Sequence, residues 1–167
     1  NIKVENRDGV KIYFVPLENI YFPFFFKKKK QIFRFLWHII DIYNPLMGKV
    51  VRNILEIELP DIFHTNILTG FSVAVWKESK LMNIPTVHTL RDYSILCPRS
   101  TMFQNYHNCD KICLRCKFFA SPKIQDTSHV RGVISNSNFV LQRHLSEGAF
   151  NGVYLQEVIF NAFDPTE

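Results

Sequence analysis

The chain has 167 residues, 47% of them apolar and 21% charged, with 20 Lys and Arg against 15 Asp and Glu for a formal net charge of +5. That balance is ordinary for one globular domain with its own core, and excludes a collagen-like or disordered chain. No apolar run approaches the roughly 18 residues of a membrane-spanning helix, residues 1–10 are too polar for a signal peptide, and the positive balance suits an anionic partner.

Taken in order, Asp8-Gly9 marks a turn and residues 10–15 alternate as a strand. A Phe-rich run, residues 21–26, then meets Lys27, Lys28, Lys29 and Lys30. Residues 31–43 have helical length and are apolar over much of the circumference. Pro45 is placed to open a second helix reaching Leu59, in which Leu46, Val50, Ile54 and Ile57 form a core stripe. Beyond Pro60 the rhythm is regular: a strand over 61–65, a helix over 70–82 with Phe71, Val75, Leu81 and Met82 apolar, and a strand over 85–90. A loop carrying all four cysteines spans 97–117. A strand follows over 132–135, then Asn136 or Ser137 as the N-cap of a helix ending near Glu147, with Gly148 as its left-handed cap. A strand over 156–160 comes last. Short apolar strands alternating with helices predict an α/β fold, a Rossmann-like and mostly parallel sheet flanked by helices. Residues 1–167 read as one domain with the cysteine loop inside it. The six glycines never cluster, so neither a dinucleotide fingerprint nor a phosphate-cradling loop is present.

Four features could carry chemistry. Arg91 and Asp92 stand just past the end of a strand, where open α/β sheets place ligands. Arg91 offers a permanent charge and a planar donor fork suited to phosphate, while a turn Asp or a local ion pair is the plain structural reading of the same residues. His64 and His88 lie on apolar strands. A strand histidine is more often a core residue with one satisfied nitrogen than a base, and His64, towards the strand's end, is the better cleft residue. Cys97, Cys109, Cys113 and Cys116 are spaced C-x11-C-x3-C-x2-C, and four thiolates would complete a closed, structural zinc site. Buried free thiols and disulfides are the alternatives. Lys27–Lys30 among Phe and Trp suit an anionic membrane surface, at about 1 kcal/mol per basic residue. A core helix behind a solvated basic turn accounts for the same pattern.

Basic residues, aromatics and four cysteines would also suit a zinc-stabilised nucleic-acid-binding or interaction domain without catalysis. Against nucleic acid, the basic residues fall in two separate places, and the cysteines lack the paired close spacings of a finger.

The order of several stretches resembles the N-terminal domain of GT-B glycosyltransferases, in particular retaining family 4. Pro60-Asp61-Ile62-Phe63-His64 is similar to one strand of that family. Ile84–Tyr93 followed by Leu96-Cys97-Pro98-Arg99 is similar to a second stretch, Val133–Ser137 to a third, and Glu157–Asp164 to the segment closing the domain. The resemblance covers residues 60–164. It implies the acceptor-side domain of an enzyme moving a sugar from a nucleotide-sugar to a sugar or lipid-linked acceptor, in cell-surface polysaccharide or glycolipid synthesis. It implies no catalytic metal, and a cytoplasmic location, peripheral on the membrane's cytoplasmic face. By this resemblance the chain lacks a first strand with its Gly-rich loop and the C-terminal domain that binds the nucleotide-sugar, and is inactive alone. Arg91 and Asp92 are then the expected catalytic positions, with His64 and Ser137 in substrate binding. This sequence departs from the family in three places, one of them being residues 1–59, which match it only loosely. Arg91 stands where many members have His, and Ala162 where they have Gly, a residue that reaches positive φ less easily.

Overall fold

The structure, a computed structural model, describes residues 2–22 and 30–162. Among them are eight strands and five α-helices. β1 (Lys3–Arg7) and β2 (Val10–Phe14) form an antiparallel hairpin in which Arg7 pairs with Val10. The two turn residues, Asp8 and Gly9, have φ of 50° and 80°, as the Asp-Gly preference of such two-residue turns requires. α1 spans Gln31–Ile42 and α2 spans Pro45–Glu58. Between them the buried Asn44 caps α2, its side-chain oxygen accepting from the Leu46 and Met47 amides while its own amide donates to the Glu18 carbonyl.

The centre is a four-stranded parallel sheet in the order β3-β4-β7-β8, made of Phe63–Asn66, Thr86–Leu90, Gly132–Ser135 and Leu155–Val158. α3 (Ala74–Leu81) connects the first pair of strands and α5 (Asn138–Ser146) the last pair. The long connection from β4 to β7 holds a miniature hairpin, β5 (Phe103–Gln104) and β6 (His107–Asn108), and α4 (Leu114–Asp126).

Alternation along the strands gives the sheet two unlike faces. One carries Thr65, Thr86, His88, Leu90, Val133 and Ser135, all buried. Against it pack Trp76 of α3, whose indole N–H donates to Thr65 Oγ1 at 3.0 Å, and Phe150, stacked on His88 at 5.9 Å. On the other face His64, Asn66, Leu155 and Glu157 are exposed, with Val87 and Ile134 half-buried between them.

Three expectations need correction. The buried stripe of α2 is Met47, Val51 and Leu55, while Leu46 and Ile57 are 60% and 67% exposed. The helix turns Gly48 towards α3, where a Cβ would lie 3.3 Å from that of Ala74, and this close approach selects the stripe one residue along. The helix predicted over 70–82 begins only at Ala74, because Gly70 and Ser72 hold φ of 93° and 63° in the turn before it; Leu81 is 61% exposed. The region predicted as a cysteine loop is only partly a loop. Cys113 is the N-cap of α4 and Cys116 lies in its first turn.

Candidate functional site

The carboxyl ends of the parallel strands deliver their following residues to one edge of the sheet. Arg91 follows β4, Asn136 and Ser137 follow β7, and Asn161 lies just beyond β8, where the Ile159 amide still bonds the Ser135 carbonyl. Arg91 is exposed. Its side-chain hydrogen bond among the described residues is a long one, Nη1 to Asn161 Oδ1 at 3.4 Å, joining positions 70 residues apart. The guanidinium therefore keeps most of its donors for solvent or ligand.

Asp92 makes no ion pair with Arg91 among the described residues. Its Oδ1 accepts from the Ser94 amide at 2.8 Å, an Asx turn that redirects the chain away from the sheet. Ser137 caps α5, its hydroxyl oxygen accepting from the Val140 amide, while its own amide and carbonyl are held by Ser135 Oγ. Among the described residues its hydroxyl proton meets no acceptor. His64 is the second residue of β3, and its Nε2 meets Thr89 Oγ1 at 2.7 Å on the less covered face. His88 belongs to the core, with Nδ1 against Thr65 Oγ1 at 2.9 Å. Burial, joined by the neighbouring His144 and His64, pushes its pKa down to about 3, so it is neutral at pH 7. The structure thus brings Arg91, Asn161 and the Ser137 cap to the strand edge, and sets His64 apart on a sheet face.

Behind this edge the Asp92 turn is anchored by groups the sequence did not announce. Lys123 of α4 donates to Asp41 Oδ2 of α1 at 3.0 Å, both side chains nearly fully buried, and reaches the Ser94 carbonyl at 3.4 Å. Asp41 Oδ1 accepts from the Gly70 amide at 2.6 Å. At Gly70, φ is 93° and a Cβ would fall 2.8 Å from Leu17 Cδ1, so glycine is required there. Tyr93 stacks on the buried His144 at 5.6 Å, coupling the turn to α5.

The four cysteines are free thiols, Cys97 buried and Cys113 exposed. Together they line a cavity of about 150 Å³, with Arg99, Arg115 and Phe119 among its other walls. Cys97 and Cys116 stand with Sγ atoms 3.9 Å apart. Burial pushes the Cys116 thiol up to about 12, whereas the Cys116 backbone amide and thiol hold Cys113 below the ordinary thiol range. As the side chains stand, no group of three or more His, Cys, Asp or Glu among the described residues is arranged to hold a metal ion. The Arg143 guanidinium donates to the Cys109 carbonyl, and Glu147 Oε1 accepts from the Ile112 amide at 3.0 Å, so both tie this lobe to α5.

Lys27, Lys28 and Lys29 lie outside the described residues; Lys30 is exposed at the start of α1. In the first half of α1, Ile32, Phe33, Phe35 and Leu36 are 41–57% exposed, which answers only in part to a core helix. The helix enters the core at Trp37 and Asp41. No described helix is long and apolar enough to cross a membrane.

No protein-family model matches the chain, and no solved structure matches it. The chain is similar to a protein of Klebsiella pneumoniae described as an uncharacterized 42.6 kDa protein in the cps region, with 32% identity over 148 residues. The match covers 89% of this chain but 40% of that relative, so the chain spans well under half of the relative's length.

Proposed function

We propose that this chain is the acceptor-side domain of a glycosyltransferase that acts in capsular or other cell-surface polysaccharide synthesis. The observation that carries the reading is the meeting of Arg91 and Asn161 at the carboxyl edge of a parallel sheet. Each belongs to a stretch that resembles family 4 of the GT-B enzymes, and the edge is where open α/β sheets take ligands. The relative's place in a cps region, where capsular polysaccharide genes lie, supports the same direction.

In this reading a second, nucleotide-sugar-binding domain closes over the edge in the whole protein. Arg91 faces the departing diphosphate, where a fixed cation lowers the barrier by stabilising charge that grows in the transition state. Asp92 acts mainly through its turn, which aims Arg91. The Ser137 hydroxyl flanks the acceptor, His64 standing apart on the sheet face, and the reaction retains anomeric configuration without a catalytic metal. The exposed apolar half of α1 beside the lysine run docks on anionic lipid at the cytoplasmic membrane face, bringing the enzyme to lipid-linked acceptors.

The test uses the full-length protein with a panel of nucleotide-sugars and sugar or lipid-linked acceptors. The reading expects acceptor-dependent release of nucleoside diphosphate and a glycosylated product. Turnover of none of the donors, with none retained in a binding assay, would count against it. Flotation with neutral and anionic vesicles checks the lipid part: preference for anionic vesicles is expected, and equal flotation would remove it.

A further inference from the structure

We propose that Cys97, Cys109, Cys113 and Cys116 form a structural zinc site, with Cys97 and Cys116 pre-placed by the fold and Cys109 and Cys113 drawn in by the metal. The inference is independent of the sugar-transfer reading. Zinc–sulfur bonds of about 2.3 Å at tetrahedral angles place neighbouring sulfurs roughly 3.8 Å apart. The Cys97–Cys116 separation of 3.9 Å is already such an edge. Both residues belong to firmly held backbone: Cys97 donates its amide to the Tyr93 carbonyl, and Cys116 sits in the first turn of α4.

The other two ligands have room to complete the set. Cys113 is the N-cap of α4, and the spacing C-x2-C sets it three residues before Cys116 at the helix start. It is exposed, so rotation about its χ1 meets little resistance. Cys109 directly follows β6, its amide bonded to the Met102 carbonyl at 2.7 Å, and it shares the cavity of about 150 Å³ with the other three. The present side-chain positions are those of an open set, in which no three ligands yet converge. Four thiolates on one zinc carry two net negative charges. Arg99 and Arg115 line the same cavity, and Arg143 reaches the Cys109 backbone, so the charge is offset locally.

Closed, the site would clamp three separate pieces: the turn after β4 through Cys97, the small hairpin through Cys109, and α4 through Cys113 and Cys116. Of these, α4 supports the Asp92 turn from behind through Lys123, which reaches the Ser94 carbonyl. Metal would therefore order the 97–116 segment while leaving the sheet intact.

The full-length protein, purified under reducing conditions without added metal, is assayed for metals by elemental analysis and for thiols by titration with and without a chelator. About one zinc per chain is expected, with the four thiols slow to react until the chelator is added. Cobalt substitution should give the intense near-ultraviolet and red absorption of a tetrahedral thiolate complex. Cys113→Ser and Cys109→Ser should fold and weaken zinc binding at least about tenfold, the least that disturbing even a ligand's hydrogen-bond partner costs. Cys116→Ser should abolish binding, and Cys113→Ser keeps the test decisive if Cys116→Ser fails to fold. Freely reacting thiols with no metal, iron in place of zinc, or a Cys113–Cys116 disulfide would each overturn the proposal.

Discussion

Arg91 and Lys123 are both cations of the connection between β4 and β7, and the fold treats them in opposite ways. Arg91 is exposed at the sheet edge, with one long bond to Asn161 and the rest of its fork unclaimed among the described residues. Lys123 is buried, paired with Asp41 and bonded to the Ser94 carbonyl. The difference separates two tasks within one crossover. Behind the turn the charges are spent internally, joining α1, α4 and the turn around Gly70 into one support. At the edge a charge is left to meet something that arrives. A buried pair is weak evidence for stability in itself, but its removal by halves is costly.

That contrast can be broken from its rigid side first. Lys123→Met leaves the Asp41 carboxylate buried with only the Gly70 amide, and should cost about 3–5 kcal/mol. The paired change of Lys123→Met with Asp41→Leu should recover much of it. Denaturant unfolding of the three proteins checks this, and a single variant as stable as the parent would show that the pair is not a support.

Acid attacks the same interior by another route. His88 sits among Trp76, Phe150, Thr65 and His144, with His64 across the sheet, and it stays neutral down to about pH 3, whereas the unfolded chain protonates it near the ordinary value of 6.5. His144 is lowered too, first by burial and in part by Arg143, against the pull of its bond to the Val140 carbonyl and of Asp92. Between those limits the unfolded state binds the extra proton, so stability is complete above about pH 6.5 and falls as pH drops towards 3. The slope should approach about 1.4 kcal/mol per pH unit for each such histidine. Unfolding curves at pH 7 and pH 5 measure it, and His88→Gln should flatten the difference by roughly one proton. The smallest effect is at the edge itself: Ser137→Ala removes the α5 cap and should cost about 1 kcal/mol, read from the denaturant midpoint.

Local signals made much of this fold legible. Gly132–Ser135 bounded by polar residues, the Ser137 cap, the left-handed Gly148 and Asn44-Pro45 each state their own structure. α4 stayed hidden because Pro122 falls inside it and forfeits a backbone bond there, and because its apolar residues keep no clean helical period. β1 stayed hidden because four of its five residues are exposed, so no burial pattern marks the sequence. On α2 two adjacent apolar stripes were available, and only the approach of α3 to Gly48 chooses between them. The site divides in the same manner. Arg91 could be found from its place at a strand end, but Asp41 and Lys123 lie 82 residues apart with nothing local to pair them.

The central claim is that the strand-end edge works through Arg91 without depending on it for stability. Arg91→Ala in the full-length protein, assayed for sugar transfer beside its unfolding midpoint, tests this most directly. The account predicts a loss of about 10²-fold in kcat/KM, partial recovery in Arg91→Lys, and stability within about 0.5 kcal/mol of the parent. Full activity in Arg91→Ala, or a loss of activity that merely follows a loss of stability, would contradict it.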